Sequence, residues 1–193
     1  MLLLVVGLLI FIGVHLAPAQ PALRNDLRQR FGAGAYQIGF TVLSLIGLGL
    51  IIYGYGKVQF LPAKNPQLWV PPVWTKHLLW ALMLPALILL AAAYVPSRIR
   101  TAVGHPMLIA IMIWSASHLL ANGRAAAMLL FGVFLAWAIF DYLSVKKRGA
   151  QGPLGTAIGT LAGDLAAITI GSAFWFYMLK WGHAQLINVP LLS

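Results

Sequence analysis

The chain contains no cysteine and very few acidic residues. The absence of cysteine from all 193 positions excludes disulfide bonds, iron–sulfur clusters, thiol catalysis and thiolate ligation of a metal. The only carboxylate side chains are Asp26, Asp141 and Asp164, which are far apart in sequence. No two of them have a spacing suited to paired acid–base catalysis. Neither a glycine-rich phosphate loop nor a Ser/His/Asp set stands out.

Charge of either sign is scarce, and apolar residues dominate. Charged residues make up 8% of the chain, whereas a typical soluble domain has about 25%. This composition predicts an integral membrane protein whose main partner is the lipid bilayer. The formal net charge is +10, but the basic residues lie in loops between apolar runs. The excess therefore indicates contact with the membrane surface, not with nucleic acid.

Apolar runs predict an all-α, polytopic transmembrane helix bundle of about six spans in a single domain, residues 1–193. The runs are residues 2–17, 36–55, 73–94, 106–121, 125–143 and 161–181. The intervening residues 18–35 and 56–72 are predicted to be loops. The fourth run has about 16 residues, which cover roughly 24 Å of a hydrocarbon core near 30 Å. Five spans are therefore the alternative.

The distribution of basic residues predicts an orientation. The loops after the first, third and fifth spans hold eight Lys and Arg, and the opposite side holds five. Because basic loops stay on the cytoplasmic side, both termini are predicted to lie outside, in the periplasm if the cell is Gram-negative.

Two of the five histidines lie inside apolar runs. They are His15 in the first run and His118 in the fourth, and a polar side chain at such a position must face protein, cofactor or water. On a helix, His118 shares one face with Trp114, Ser115 and Asn122. The alternative for each histidine is a hydrogen bond to a neighbouring helix.

The other three histidines lie near helix ends. His105 opens the fourth run beside Pro106, where it can cap the helix or help to bind an anion. His77 and His183 flank the ends of spans and are expected to be interfacial.

Depth estimates link the two interior histidines. A rise of 1.5 Å per residue places His15 about 9 Å and His118 about 20 Å above the inner edge of the membrane. The two depths differ by about 11 Å. Two histidines that bind opposite faces of one metal have backbones about 11 Å apart. Imidazole suits iron, copper or zinc, but no further ligand shares this depth, which favours haem because it brings four nitrogens of its own. The haem propionates would pair with basic side chains on the inner side, namely Arg24, Arg28, Arg98 and Arg100.

Several motifs of the chain occur together in one known family. They include His15, Leu23-Arg24, His105-Pro106-Met107-Leu108, Trp114, His118-Leu119-Leu120-Ala121-Asn122-Gly123 and the terminal Trp181-Gly182-His183. With these motifs the chain resembles the NnrU family. That family is named from nitrite and nitric oxide reduction gene clusters of denitrifying bacteria. It is related to 15-cis-zeta-carotene isomerase, a membrane enzyme that uses haem b.

The resemblance implies haem b binding in a bacterial inner membrane and a role in nitrogen-oxide metabolism. It places His15 and His118 at the haem ligands of the carotene isomerase, and Trp114-Ser115 where that enzyme has Trp-Cys. An exchange between His and Cys ligands therefore cannot operate here. Gly104 stands where the family usually has Arg before His-Pro, with Arg100 four residues earlier.

Two other functions stay open. One is a haem-dependent cis–trans isomerase of carotenoids or other apolar polyenes, which neighbouring carotenoid genes would favour. The other is a cofactor-free assembly partner of a respiratory membrane complex, such as a membrane reductase, which an absorbance spectrum without a Soret band would favour.

Overall fold

The computed structural model describes residues 1–191, and regular structure in this range is helical. The α-helices are α1 (Leu2–Ala19), α2 (Pro21–Phe31), α3 (Ala33–Val58), α4 (Trp74–Ala92), α5 (Arg98–Val103), α6 (Pro106–Ala121), α7 (Ala125–Arg148), α8 (Leu161–Tyr177) and α9 (His183–Ile187). A 3₁₀ turn covers Pro62–Lys64, and a π-helical turn at Met178–Gly182 joins α8 to α9. The all-α prediction is confirmed.

Five helical stretches are long and apolar enough to cross a membrane. They are α1, α3, α4, α7 and the continuous run Leu161–Ile187. Helix α6 has 16 residues and extends about 24 Å, less than the hydrocarbon core. The polytopic architecture is therefore confirmed, and α6 is the predicted span that falls short in length.

The chain divides into two compact units, one of residues 1–66 and one from Gln67 onward. In the N-terminal unit, α1 packs against α3 and α2 joins them. In the C-terminal unit, α4 packs on α6 and α8, and α6 also packs on α7. Many large apolar side chains are exposed, among them Leu9 at 69% and Leu45 at 64%. Such surfaces suit contact with lipid. The single-domain assignment stays a prediction.

The prediction of a loop over residues 18–35 was wrong, because α2 occupies most of it. Pro21 lies in the first helical turn, where its missing N–H leaves no hydrogen bond unmade. Asp26 and Arg30 form an ion pair one turn apart, at 2.9 Å. The helix ends at Gly32, whose φ of 82° is easily adopted by glycine. The polar composition that predicted a loop is equally compatible with an exposed helix.

Helices α1 and α3 approach closely at glycine residues. A Cβ atom on Gly54 would lie 2.5 Å from the backbone nitrogen of Leu4, and one on Gly47 would lie 2.9 Å from that of Phe11. Gly49, on the same helix, faces open space. Small residues allow helix backbones to pack tightly in lipid, where close van der Waals contact drives association.

Replacing Gly54 by Leu is expected to destabilise the protein by about 1–3 kcal/mol, the usual cost of overpacking. The obstacle is the backbone of Leu4, which cannot turn aside as a flexible side chain can. The matched control is Gly49→Leu, which should change stability by less than about 0.5 kcal/mol. Unfolding of the purified proteins in detergent measures both, and equal stabilities would contradict this packing.

Candidate functional site

Helix α6 carries most of the candidate residues, and the adjacent sequence determines its ends. His105 is the N-cap and Pro106 takes the first helical position. The helix ends at Ala121, and Asn122 is extended (φ −143°, ψ 115°). Gly123 leaves room for a close neighbour, since a Cβ atom there would overlap Trp69.

The His118 ring lies in aromatic surroundings on α6. Its Nδ1 is 2.8 Å from the carbonyl oxygen of Trp114, one turn earlier. Because a carbonyl can only accept, Nδ1 carries the proton and Nε2 keeps its lone pair in the neutral ring. The ring stacks on Phe131 of α7, with centroids 4.5 Å apart and planes at 27°. Such a bond to the second nitrogen is typical of metal-ligating histidines.

The other residues of the predicted α6 face have different surroundings. Trp114 packs edge-on against Phe131 at 4.9 Å and lies 5.5 Å from the His118 ring. Ser115 is fully buried, and its hydroxyl donates to the carbonyl one turn earlier at 2.7 Å. The Asn122 side-chain oxygen accepts from the backbone N–H two residues on. Of these three side chains, that of Trp114 packs beside the His118 ring.

His183 was expected to be interfacial, and the structure places it beside His118. The two ring centroids are 6.4 Å apart, with planes at 16°. The Nδ1 atom of His183 is 2.9 Å from the carbonyl oxygen of Met178, five residues earlier, because a π-helical turn precedes it. Such turns are frequent at functional sites. Gly182 was the residue in the sequence that could have indicated this close packing before His183, because a side chain there would overlap the Met178 sulfur.

His15, in the N-terminal unit, shows the same local geometry as His118. Its Nδ1 is 2.6 Å from the Phe11 carbonyl oxygen, which again requires the proton on Nδ1. The ring stacks on Phe11 at 4.1 Å and is tilted against Phe40 of α3 at 5.0 Å. The two interior histidines belong to different units, and their pairing on one metal stays a prediction.

The basic residues predicted to hold propionates also differ in their surroundings. Arg24 on α2 and Arg98 at the start of α5 are exposed. Arg100 is buried, and its guanidinium donates to the carbonyl oxygens of Gly155, at 3.0 Å, and Ala157. Arg100 therefore connects α5 to the loop between α7 and α8.

His105 lies at the opposite end of α6 from His118, about 20 Å away along the helix. Its ring meets Tyr142 of α7 edge-on, with centroids 6.2 Å apart. Helix α6 therefore links the region around His105 to the separate region around His118. Within residues 1–191, no group of three His, Cys or acidic side chains is placed to hold a metal ion.

Helices of spanning length with apolar outer faces define a polytopic α-helical membrane protein. The family model described as NnrU protein matches residues 3–191. The chain therefore belongs to the NnrU family. Comparisons with curated proteins and with solved structures gave no match.

The hydrogen bond to Trp114 predicts the tautomer of His118. In ¹⁵N NMR spectra of histidine-labelled protein near neutral pH, we expect its Nδ1 to be protonated and its Nε2 unprotonated. The exposed His77 is the reference. A protonated Nε2 on neutral His118 would contradict the assignment.

Proposed function

We propose that the protein binds haem b through Nε2 of His118 and acts in nitrite or nitric oxide metabolism. The observation that carries the proposal is the bond from Nδ1 of His118 to the Trp114 carbonyl, which leaves Nε2 with its lone pair among aromatic rings. A haem needs only one or two protein ligands, because it supplies four nitrogens itself. Membership of a family named from nitrite and nitric oxide reduction gene clusters supports the metabolic role.

Each residue of the site has a separate task in this proposal. The Trp114 carbonyl orients the His118 ring and fixes its tautomer, so that Nε2 keeps the lone pair. Phe131 covers one face of that ring and keeps water from it. Ser115 stands where the carotene isomerase has Cys, and its hydroxyl is bonded within its own helix, so no thiol competes with His118 for the metal. When bound, the haem supplies one-electron chemistry, and with His118 as its single protein ligand it would also offer a metal position to a small ligand.

Two histidines could hold the haem together with His118. His15 is the one that the sequence predicts, and it has the matching tautomer. His183 is favoured because it lies in the same unit as His118, with the two ring centroids 6.4 Å apart.

Absorbance spectra of purified variants test the haem proposal. The wild-type protein, purified with haem supplied, should show a Soret band, and His118→Ala should lose or greatly weaken it. His77→Ala, which changes an exposed ring outside the site, is the control and should leave the spectrum unchanged. A wild type without a Soret band overturns haem binding, and an unchanged spectrum in His118→Ala overturns the ligand assignment.

The same spectra identify the second ligand. If His15 is the second ligand, His15→Ala should shift the spectrum from low spin toward high spin and His183→Ala should leave it unchanged. If His183 is the second ligand, the two results should be reversed. If neither changes the spectrum, neither His15 nor His183 is a ligand.

The metabolic role needs a test in cells. A strain lacking this chain should accumulate nitrite or nitric oxide under denitrifying conditions, and the wild-type chain should restore turnover where His118→Ala does not. Normal nitrogen-oxide turnover in the deletion strain, together with altered polyene isomers, would favour the isomerase. Restoration by His118→Ala would favour a cofactor-free assembly partner.

A further inference from the structure

A polar cleft lies near the His105 end of α6, away from His118. Its volume is about 270 Å³, enough for several waters at ~30 Å³ each or for one phosphate group. It is enclosed by α5, the turn before α6 and the loop between α7 and α8. The polar side chains that line it are those of Arg100, Thr101, His105, Gln151 and Thr156.

The starts of α5 and α8 position this cleft. Ser97 and Thr160 pair in an isolated parallel bridge, and the Thr160 N–H donates to the Pro96 carbonyl at 2.9 Å. Each is also an N-cap: the Ser97 hydroxyl accepts from the Arg100 N–H at 3.1 Å, and the Thr160 hydroxyl accepts from the Gly163 N–H at 3.0 Å. Helices α5 and α8 therefore begin side by side, and the α7–α8 loop folds back beside Arg100.

Arg100 is a buried cation with no counter-ion among the described residues. Only 6% of its surface is exposed, and its guanidinium donates to two loop carbonyls. Its Nε atom is buried and has no hydrogen-bond partner. No carboxylate among residues 1–191 forms an ion pair with it. Burying an unpaired charge is unfavourable even after relaxation, and the two carbonyl dipoles carry no full negative charge to balance it. An anion from outside the chain would supply that charge.

The surroundings of the cleft are also basic. The Lys146 ammonium lies over the Tyr142 ring at 5.5 Å, and that ring in turn meets His105. Two further basic residues follow Lys146 at the end of α7. Asp164 is the carboxylate held close to α5, and it accepts from the Ile99 N–H at 3.0 Å. Its charge stabilises the start of α5 and is not paired with Arg100.

We propose that this cleft binds a phosphate group, either the headgroup of an anionic phospholipid or a free phosphate. Arg100 lines the cleft and supplies the charge, while Gln151 and Thr156 supply neutral donors at the rim. A cleft at the ends of spanning helices, next to a basic helix end, suits the level of lipid headgroups. The site is independent of the haem proposal, since about 20 Å of helix separates His105 from His118.

Gly152 allows the proposal to be tested without changing Arg100. It lines the cleft, and a Cβ atom added there would meet nothing within 4 Å. Gly152→Asp places a carboxylate beside the cation and should replace the external anion. Gly152→Asn has nearly the same shape without the charge and is the matched control. Arg100→Gln should also lose binding, with its helix content measured to show that it folds.

Two probes separate the sources of the phosphate. The first is inorganic phosphate added to the protein in neutral detergent, and the second is phosphatidylglycerol in nanodiscs, compared with phosphatidylcholine. Binding is followed by native mass spectrometry and by the melting temperature. We expect wild type and Gly152→Asn to bind at least one probe, and Gly152→Asp to bind it at least tenfold more weakly. Binding of phosphate alone indicates a free ligand, and preference for phosphatidylglycerol indicates a lipid headgroup.

Three results would overturn the proposal. The first is that neither probe binds to the wild type. The second is equal binding by the Gly152→Asp and Gly152→Asn variants. The third is a Soret band lost in Gly152→Asp but retained in Gly152→Asn, which would mean that the cleft receives a haem propionate. Absence of a Soret band from every variant would count against haem alone and leave the phosphate measurement unaffected.

Discussion

Inside a hydrocarbon layer, a polar hydrogen without an acceptor in the protein costs several kcal/mol, and no water is available to satisfy it. Helix formation satisfies the backbone, and three apolar-run side chains satisfy their hydrogens in the same way. His15, Ser115 and His118 each donate to a carbonyl one turn earlier on their own helix. For the two histidines this bond also determines which ring nitrogen keeps the lone pair. The constraint that stabilises the helix therefore also prepares the ring to be a ligand.

The C-terminal unit has two chemically distinct ends joined by α6. Around His118 the neighbours are aromatic, and the second histidine in contact is His183. Around His105 the neighbours are polar and basic, and the buried Arg100 is held by loop carbonyls. Apolar surroundings favour a neutral imidazole as a metal ligand, whereas a buried cation favours an anion. Helix α6 thus separates the aromatic region proposed to bind haem from the basic cleft proposed to bind phosphate.

Much of the fold was predictable because its signals are local. Apolar runs and their lengths located the spans, and the short run at α6 indicated that the count would depend on it. Where the signal was ambiguous, the prediction failed: polar residues 18–35 were compatible with either a loop or the exposed helix α2. The glycines of α3 illustrate the remaining limit. Any glycine in a span can allow close helix packing, but only geometry distinguishes Gly54, which touches α1, from Gly49, which faces open space.

The sequence by itself determined that this is a helical membrane protein with histidines at His15 and His118 inside apolar runs. Hydropathy and helical periodicity are properties of neighbouring residues and need no tertiary contact. Only the tertiary structure decided that His183 lies beside His118 and that Arg100 is buried with no carboxylate paired to it within residues 1–191. Both outcomes depend on how distant segments pack: a π-helical turn redirects the end of the α8 region, and the α7–α8 loop folds back onto α5. No periodicity in the chain encodes either arrangement.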